Sequence, residues 1–258
     1  MFRSCRGVFP AVSVVVSIRE HQGPRTVALV PAAGRGLRMG GQVPKQFLLL
    51  GGQPILVHAL RVLQASPVID EIILAVPQAD RQYCLDHIVA TGEFGKVTKV
   101  VPGGDQRQDS VRHALAEVSE DTEIVLVHDA VRPFLTQDMV RQVVGAAAEQ
   151  GAAIIALPMR DTVKYVGANG VIEKTVDRRP LWLAQTPQAF RRRWLEEGHR
   201  KAHLDGIHAT DDAHLVELIG KPVVVIEGSG ENIKVTRPED LVIGEAILSS
   251  RTAARSAG

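Results

Sequence analysis

Short runs of consecutive apolar residues, many of them β-branched, recur along this chain and are separated by longer amphipathic stretches. A strand that is apolar at successive positions, rather than at alternate ones, is typical of a parallel sheet with helices on both faces. Strands are predicted at residues 27–30, 72–76, 97–101, 124–127, 153–157 and 223–226. Helices are predicted at residues 55–64, 81–90, 110–118, 139–150, 190–199, 211–219 and 238–248. The pattern predicts one doubly wound, mostly parallel α/β domain over residues 26–258.

The first 25 residues differ from the remainder of the chain. Arg3 and Arg6 precede an apolar run at residues 8–16, which Pro10 interrupts. A charged start followed by a short apolar segment is a feature of secretory signals, but no small-residue cleavage site follows the run. We therefore expect a loosely ordered extension, with a secretory signal as the alternative. No stretch of the sequence approaches the roughly 20 apolar residues of a membrane span.

Composition excludes several classes of partner. Lys and Arg number 30 against 29 Asp and Glu, so the net charge of +1 provides no global field to attract nucleic acid or an anionic membrane. Aromatic residues make up only 4% of the chain, which argues against a base-stacking surface. The two cysteines, Cys5 and Cys84, are too few for a metal cluster and form no redox motif. We expect a cytoplasmic protein that binds neither nucleic acid nor a membrane.

One segment departs from the α/β alternation. Residues 159–166 and 171–176 alternate polar and apolar side chains around Asn169 and Gly170, which is the signature of a β-hairpin. A two-stranded ribbon inserted in a parallel-sheet protein needs cover for its second face. We expect an arm over residues 159–182 through which the protein forms a homodimer.

A glycine-rich turn follows the first predicted strand and continues to Gly40. It fails the dinucleotide-binding pattern because Met39 stands where the third glycine is needed, and it fails the P-loop pattern because Gln42 follows Gly41. Arg35 and Arg38 lie within the turn, and Lys45 follows it. Such cations over backbone N–H donors suit a polyphosphate, while an ordinary turn with solvated basic residues is the alternative.

Polar groups also follow the third and fourth predicted strands. Ser110 or Asp109 could cap a helix that begins near residue 111, or this loop could face the same crevice as the glycine-rich turn. Asp129 ends the next strand, where a carboxylate could hold Mg²⁺, pair with Arg132, or do both. His128 is expected to be a packed histidine, because no second His or Cys lies at ligand spacing.

Seven blocks of the chain together resemble the 2-C-methyl-D-erythritol 4-phosphate cytidylyltransferase family of the non-mevalonate isoprenoid pathway. They follow the family's order from about residue 27 to the final helix. The blocks are residues 31–34 with Arg38 and 44–47, and then 103–110, 127–133, 175–178, 185–188, 210–213 and 232–240.

The resemblance implies a Rossmann-like nucleotidyltransferase that transfers the cytidylyl group of CTP to methylerythritol phosphate, with Mg²⁺, and releases pyrophosphate. It implies that Arg38 and Lys45 stabilise the negative charge that develops on the phosphoryl oxygens and that Asp129 helps to hold Mg²⁺. It implies that Arg178 and Lys234 orient the incoming phosphate. It places the nucleotide at Pro31, Ala32, Ala33, Gly34, Gly104, Asp105 and Ser110. It places the methylerythritol moiety at Thr162, Thr186 and Thr210, with Arg132 nearby. It also implies a dimer in which Thr162 and Arg178 reach the neighbour's site.

Two alternatives stay open at this point. A ribitol-5-phosphate cytidylyltransferase has similar blocks around Lys45, Asp129 and Lys234, although residues 31–34, 175–178 and 236–239 favour the methylerythritol enzyme. A non-catalytic nucleotide-binding regulator could use the same fold. The regulator is the weaker reading, because all the charged positions that the chemistry requires are filled.

Overall fold

A computed structural model describes residues 23–34 and 43–256, with the side chains of residues 254–256 left out. The strands are β1 (Thr26–Pro31), β2 (Leu49–Leu50), β3 (Gln53–Pro54), β4 (Glu71–Val76), β5 (Val97–Pro102), β6 (Ile124–Val127), β7 (Ala152–Pro158), β8 (Val163–Val166), β9 (Ile172–Val176), β10 (Trp182–Arg191) and β11 (Val224–Glu227). The helices are α1 (Ile55–Ala65), α2 (Arg81–Cys84), α3 (Arg107–Leu115), α4 (Gln137–Gln150), α5 (Arg192–Asp205), α6 (Asp212–Glu217) and α7 (Pro238–Ser256). A π-helical turn, Leu85–Val89, continues α2.

Seven strands form the central sheet in the order β11-β7-β10-β6-β1-β4-β5. All neighbours are parallel except β10, which runs antiparallel to both β6 and β7. The middle of the sheet is buried on both faces, as Ala28 shows by pairing with Ile72 on one side and Leu126 on the other. The six predicted strands are confirmed as β1, β4, β5, β6, β7 and β11, and the sheet is the predicted mostly parallel one.

Strand β10 was not predicted. The helix predicted over residues 190–199 is present, but its predicted start at residue 190 was wrong. The strand continues to Arg191, and α5 begins at Arg192. Polar residues and Pro187 interrupt the apolar pattern that would identify a strand, and the register shifts between Ala184 and Gln188. These polar side chains are nevertheless buried, because they hydrogen-bond inside the protein.

Each face of the sheet is covered by its own set of helices. Leu60 of α1 and Val143 of α4 belong to the core on one face, with Leu74 and Leu126 from the strands. On the other face, residues of α3, α5 and α6 pack against inward-facing residues of the strands. Burying one such Leu or Val stabilises the fold by about 1.5–3 kcal/mol. No helix in the described ranges has both the length and the apolar character of a membrane span.

The predicted hairpin is present as a separate two-stranded ribbon of β8 and β9. Gly170 in its turn has a φ of +78°, which glycine adopts without strain. Tyr165, Val166 and Ile172 on the ribbon each expose half or more of their surface. The ribbon therefore leaves apolar surface that no other described part of the chain covers.

Gly151 is the C-cap of helix α4 and lies directly before the first residue of β7. Gly151 has a φ of +96°, and a Cβ there would lie 2.1 Å from the Trp194 ring. We expect Gly151→Ala to lower the unfolding free energy by about 1–3 kcal/mol or more, because backbone strain adds to this clash. Gly145→Ala, in the same helix at an exposed position with open space around it, should raise the unfolding free energy by about 0.5–1 kcal/mol. Denaturant unfolding measures both, and equal effects of the two substitutions would contradict this account.

Candidate active site

A crevice opens where β1, β5 and β6 end, at the edge of the sheet where parallel α/β proteins bind ligands. The loops after these three strands and the segment before α7 contribute its walls. Most of the predicted site residues lie together there. The crevice is lined by Pro31, Ala32, Ala33, Gly34, Lys45, Gln46, Gly104, Asp105, Gln106, Arg107, Ser110, Asp129, Ala130, Val131 and Lys234.

Two glycines allow the loop after β5 to pack closely, Gly103 against the loop after β1 and Gly104 against the start of α3. A Cβ on Gly103 would lie 2.2 Å from the Ala33 Cβ, and one on Gly104 would lie 2.2 Å from the Asp109 Cβ. The Gly104 N–H donates to the Ser110 hydroxyl over 3.1 Å, and that hydroxyl in turn donates to the Gln106 carbonyl. The backbone can therefore line a narrow wall of the crevice.

Ser110 is not a helix cap. Helix α3 begins at Arg107, and its N-cap residue, Gln106, makes no side-chain capping bond. Ser110 lies inside the first turns of the helix, so its hydroxyl can return to the loop at Gly104. The crevice alternative for this loop agrees with the structure, and the capping alternative is wrong.

Lys45 begins a 3-10 turn, Lys45–Phe47, and its side chain lines the crevice. A Cβ on Gly34 would lie 3.2 Å from the Lys45 Cε, so the lysine stem passes directly over the glycine. Phe47 packs edge-on against Tyr83 with ring centroids 5.3 Å apart, which supports the turn from behind. Arg35 and Arg38 lie outside the described residues, and the assignment of Arg38 stays a prediction.

Asp129 is the buried charge of the crevice. Its Oδ1 lies 2.7 Å from the Arg107 Nε and its Oδ2 lies 2.7 Å from the Lys234 Nζ. Burial acts to raise the pKa of this carboxyl, but Arg107 and Lys234 together hold the pKa well below its usual range. Asp129 is therefore ionised, and each of its oxygens lies beside a cation.

Of the alternatives that the sequence left open for Asp129, an ion pair with Arg132 is not formed. The Arg132 backbone N–H donates to the Asp129 carbonyl over 3.0 Å, as expected for a turn. Its guanidinium instead donates to the Asn232 carbonyl over 2.7 Å, and burial lowers its pKa. Arg132 thus ties the Asp129 loop to the segment that carries Lys234.

The Lys234 segment is held by a buried amide. Asn232 is fully buried, and its Nδ2 donates to the Thr186 carbonyl over 2.9 Å. The Val235 N–H donates to the Val131 carbonyl over 2.8 Å. These contacts position Lys234 over the end of β6. Sequence reasoning did not select Asn232, although it is a polar residue within one of the seven matching blocks.

His128 and Thr186 form a directed hydrogen-bond chain beneath Asp129. The Asp129 N–H donates to the Thr186 Oγ1, which lies 3.2 Å from the His128 Nδ1, while the His128 Nε2 lies 3.1 Å from the Arg132 carbonyl. A carbonyl only accepts, so Nε2 carries the proton and Nδ1 accepts from the threonine. Burial lowers the pKa of His128 to about 4. The expectation of a packed histidine is confirmed.

Five predicted site residues in the described part of the chain are not among the residues that line the crevice, namely Arg132, discussed above, and Thr162, Arg178, Thr186 and Thr210. Thr162 and Arg178 are exposed on the hairpin arm, where the Arg178 guanidinium donates to the Arg160 carbonyl. Thr210 is exposed in the loop before α6. Thr186 is buried, with its hydroxyl engaged by the neighbouring backbone and His128. Their roles toward a substrate stay predictions.

Arg107 is the charged group that sequence reasoning did not select. It is the first residue of α3, and its guanidinium pairs with both Asp129 and the buried Asp212. The signal in the sequence was its place inside the block 103–110. Its two carboxylate partners lie far away along the chain, so spacing could not reveal the pairing.

Among the described residues, no group of three or more His, Cys, Asp or Glu side chains is arranged to hold a metal ion. A metal site here would therefore depend on Asp129 together with oxygen atoms of a ligand. Cys84 is fully buried, and burial raises the pKa of its thiol to about 12. Cys84 therefore contributes to packing in the core.

Comparison with known proteins identifies relatives over nearly the whole described chain. A family model described as 2-C-methyl-D-erythritol 4-phosphate cytidylyltransferase matches residues 26–250. The enzyme of that name from Syntrophus aciditrophicus is 50% identical over 87% of this chain and 96% of its own length. The one from Pelotomaculum thermopropionicum is 45% identical over 88% of this chain and 95% of its own length.

Solved structures agree with these relatives. The crystal structure of 2-C-methyl-D-erythritol 4-phosphate cytidylyltransferase from Thermus thermophilus is 34% identical, covers 86% of this chain and 98% of its own, and superposes with a TM-score of 0.71. The 4-diphosphocytidyl-2C-methyl-D-erythritol synthase from Anaerococcus prevotii is 29% identical, covers 88% and 99%, and has a TM-score of 0.76. These matches do not favour the ribitol phosphate alternative or the non-catalytic regulator.

The buried neutral His128 predicts a pH dependence of stability. Its pKa is lowered in the folded protein from 6.5 to about 4, so the unfolded chain binds the proton more readily as the pH falls below 6.5. The stabilisation is therefore complete above pH 6.5, and about 2 kcal/mol of unfolding free energy should be lost between pH 7 and pH 5. His128→Gln keeps a donor for the Arg132 carbonyl without titrating in this range. Parallel curves of unfolding free energy against pH for the two proteins would contradict the prediction.

Proposed function

The chain belongs to the 2-C-methyl-D-erythritol 4-phosphate cytidylyltransferase family, and we propose that Lys45, Asp129 and Lys234 carry out its reaction in the crevice. The enzyme transfers the cytidylyl group of CTP to 2-C-methyl-D-erythritol 4-phosphate and releases pyrophosphate, a step of isoprenoid biosynthesis. The observation that supports the assignment is that these three side chains line one crevice with the glycine loops after β1 and β5.

The reaction exchanges one phosphorus–oxygen bond for another. An oxygen of the acceptor phosphate forms a bond to the α-phosphorus of CTP, and the bond from that phosphorus to the bridging oxygen breaks. The bond electrons leave with pyrophosphate. The attacking phosphate oxygen is already anionic at neutral pH, so the protein need not remove a proton from it. What the protein supplies is alignment and fixed positive charge.

We assign the nucleotide end of the crevice to the glycine loops. Ala32, Ala33 and Gly34 leave the backbone after β1 open to a close approach by the triphosphate. Gly104 and Ser110 line the facing wall, where the resemblance places the cytidine. The small side chains support this assignment, because a ligand can approach the backbone closely where little or no side chain intervenes. Pro31 and Asp105 complete the lining of this end.

We assign Lys45, together with Arg38, to the negative charge that develops on the transferring group. Lys45 lies over Gly34, at the end where the triphosphate would enter. Lys234 pairs with Asp129 and lines the same crevice, and we assign it to the acceptor phosphate. Two cations in one crevice would hold donor and acceptor phosphates close together, which is the main requirement for in-line transfer.

The residues present fit a Mg²⁺ ion bound with the nucleotide. Proteins often hold Mg²⁺ through one or two carboxylates plus phosphate oxygens of the substrate, and Asp129 is an ionised carboxylate at the place where those phosphates would lie. The ion would neutralise charge on the phosphates of CTP. Asp129 would orient the nucleotide through it, while Lys45 and Lys234 supply the protein's own positive charge.

We propose that the arm over residues 159–182 mediates a homodimer. The arm exposes Tyr165, Val166 and Ile172, and strand β10 continues this apolar surface at Trp182 and Leu183. A second copy would bury these side chains and bring Thr162 and Arg178 to the neighbouring crevice. Thr210 and Thr186 would complete the methylerythritol end, with Arg132 behind them.

The cytoplasm is the compartment that we propose for this reaction. Cys84 is a buried free thiol, which a reducing compartment preserves. With a net charge of +1, the chain has no overall attraction to anionic membranes or nucleic acid. We expect its partners to be CTP, methylerythritol phosphate and a second copy of the chain.

Removal of either cation at the transferring group should abolish most of the turnover. We expect Lys45→Ala and Arg38→Ala each to lower kcat by about 10²–10³, since removal of one donor from such a site has that effect. The fold should remain intact, because Lys45 lies at the crevice rather than in the core. Pyrophosphate release from CTP, Mg²⁺ and 2-C-methyl-D-erythritol 4-phosphate measures the effect. Lys201→Ala, on the exposed surface of α5, is the control and should keep kcat; near-normal kcat in Lys45→Ala would overturn the assignment.

A charge on the arm should separate the dimer. Ile172→Glu places a carboxylate in the proposed interface and should give a monomer at micromolar concentration with reduced turnover, because Thr162 and Arg178 no longer reach the neighbouring crevice. Val242→Glu makes the same kind of change at an exposed position on α7 and should leave the mass unchanged. Light scattering measures the mass. A monomeric wild-type protein, or a dimeric Ile172→Glu variant, would contradict the proposal.

A further inference from the structure

Arg107 links the crevice to a second buried carboxylate behind it. Its Nε lies 2.7 Å from the Asp129 Oδ1, and its Nη1 lies 2.8 Å from the Asp212 Oδ2. Asp212 has a side chain that is 1% exposed, and the His199 Nε2 lies 3.7 Å from its other oxygen. One guanidinium thus bridges a carboxylate that lines the crevice and one that does not.

The carboxylate behind Arg107 is itself anchored. The N–H groups of Asp212 and Ala213 both donate to the Gln188 Oε1 over 3.2 Å, so the start of α6 is tied to strand β10. The preceding residue, Asp211, caps the same helix by accepting from the His214 N–H. Asp212 therefore provides a fixed negative charge, and Arg107 is held in one orientation between two carboxylates.

The two cations beside Asp129 differ in how firmly their side chains are held. Arg107 has carboxylates on two sides, and its side chain is 24% exposed. Lys234 is 38% exposed and is paired with Asp129 over 2.7 Å, on a flexible four-carbon stem. Of the two, Lys234 can leave Asp129 for another anion at the crevice, and Arg107 can stay.

We propose that Arg107 is a positioning residue that keeps Asp129 in place and compensated while Lys234 moves from Asp129 to the acceptor phosphate. This inference rests on the assignment of Lys234 proposed above. Without Arg107, Lys234 would be the one protein cation of this pair left beside Asp129, and even with the Mg²⁺ proposed above an incoming phosphate would have to compete with that carboxylate for the lysine. Asp129 would also repel the phosphate more strongly. Both effects weaken binding of the acceptor more than they slow the transfer step.

The test uses a pair of substitutions that removes both buried charges together. Arg107→Met by itself leaves Asp212 unpaired in the interior and should destabilise the fold, whereas Arg107→Met with Asp212→Asn removes one charge of each sign. We expect the double variant to unfold at a higher temperature than Arg107→Met. It should nevertheless have a KM for methylerythritol phosphate raised at least tenfold, with kcat changed less than threefold. Arg112→Met, the same substitution later in α3 and outside the crevice lining, should keep the wild-type KM.

A further comparison separates positioning from a merely structural role. Lys234→Ala should raise the KM for the acceptor, and in that background the double substitution should raise it less than threefold further, because no lysine remains for Asp129 to retain. Arg107→Lys, which keeps the charge but cannot bridge both carboxylates, should fall between wild type and the double variant.

The outcomes distinguish the two proposals. An unchanged KM for the acceptor in the double variant, with a raised KM in Lys234→Ala, would overturn the role of Arg107 and leave the assignment of Lys234 standing. An unchanged KM in Lys234→Ala would overturn both. A full tenfold effect of the double substitution in the Lys234→Ala background would also overturn the inference, because the effect would then not pass through Lys234.

Discussion

The arrangement of the crevice depends on the ion pairs of one buried carboxylate, Asp129, at the end of β6. Asp129 would be costly to bury as an isolated charge, so the fold must bring cations to it from elsewhere in the chain. Arg107 comes from the start of α3 and Lys234 from the segment before α7, each 2.7 Å from one of its oxygens. Asp212 in α6 then holds Arg107 from behind. Four separate parts of the chain therefore meet in one chain of ion pairs around Asp129. Three of them, which carry Asp129, Arg107 and Lys234, also line the crevice.

Buried amides and hydroxyls support that arrangement. Gln185 and Gln188 on β10 are almost fully buried and hydrogen-bond to the segments that carry Lys234 and Asp212, while the buried Asn232, from the Lys234 segment, donates back to Thr186 on β10. A buried polar group without a partner costs about 1–3 kcal/mol, so each of these bonds restricts the position of a loop. Because β10 is antiparallel and irregular, it presents these groups at the crevice end of the sheet. The strand that departs from the parallel pattern therefore positions much of the site.

The hairpin arm, unlike the crevice, is not held in place by buried polar contacts within the described chain. Within the part of the chain that the structure describes, its strands pair only with each other and its apolar residues are left exposed. An isolated two-stranded ribbon is marginally stable at best in water, so cover from a second copy would stabilise it. In such a dimer, assembly and completion of the site would be coupled, because Thr162 and Arg178 are carried by the same arm.

Local pattern determined the outline of this protein: six sheet strands, the hairpin with its Asn169-Gly170 turn, and the glycine loops that line the crevice. These features depend on side-chain periodicity and glycine geometry, which are properties of neighbouring residues. Tertiary structure decided strand β10, the helical start of α3 at Arg107, and the partners of Asp129. Those features depend on whether a buried polar group finds its partner far away along the chain, and no short stretch of sequence contains that information. Asp129 and Arg132 show the difference: their nearness in the sequence left an ion pair between them as one alternative, but the fold supplied Asp129 with more distant cations.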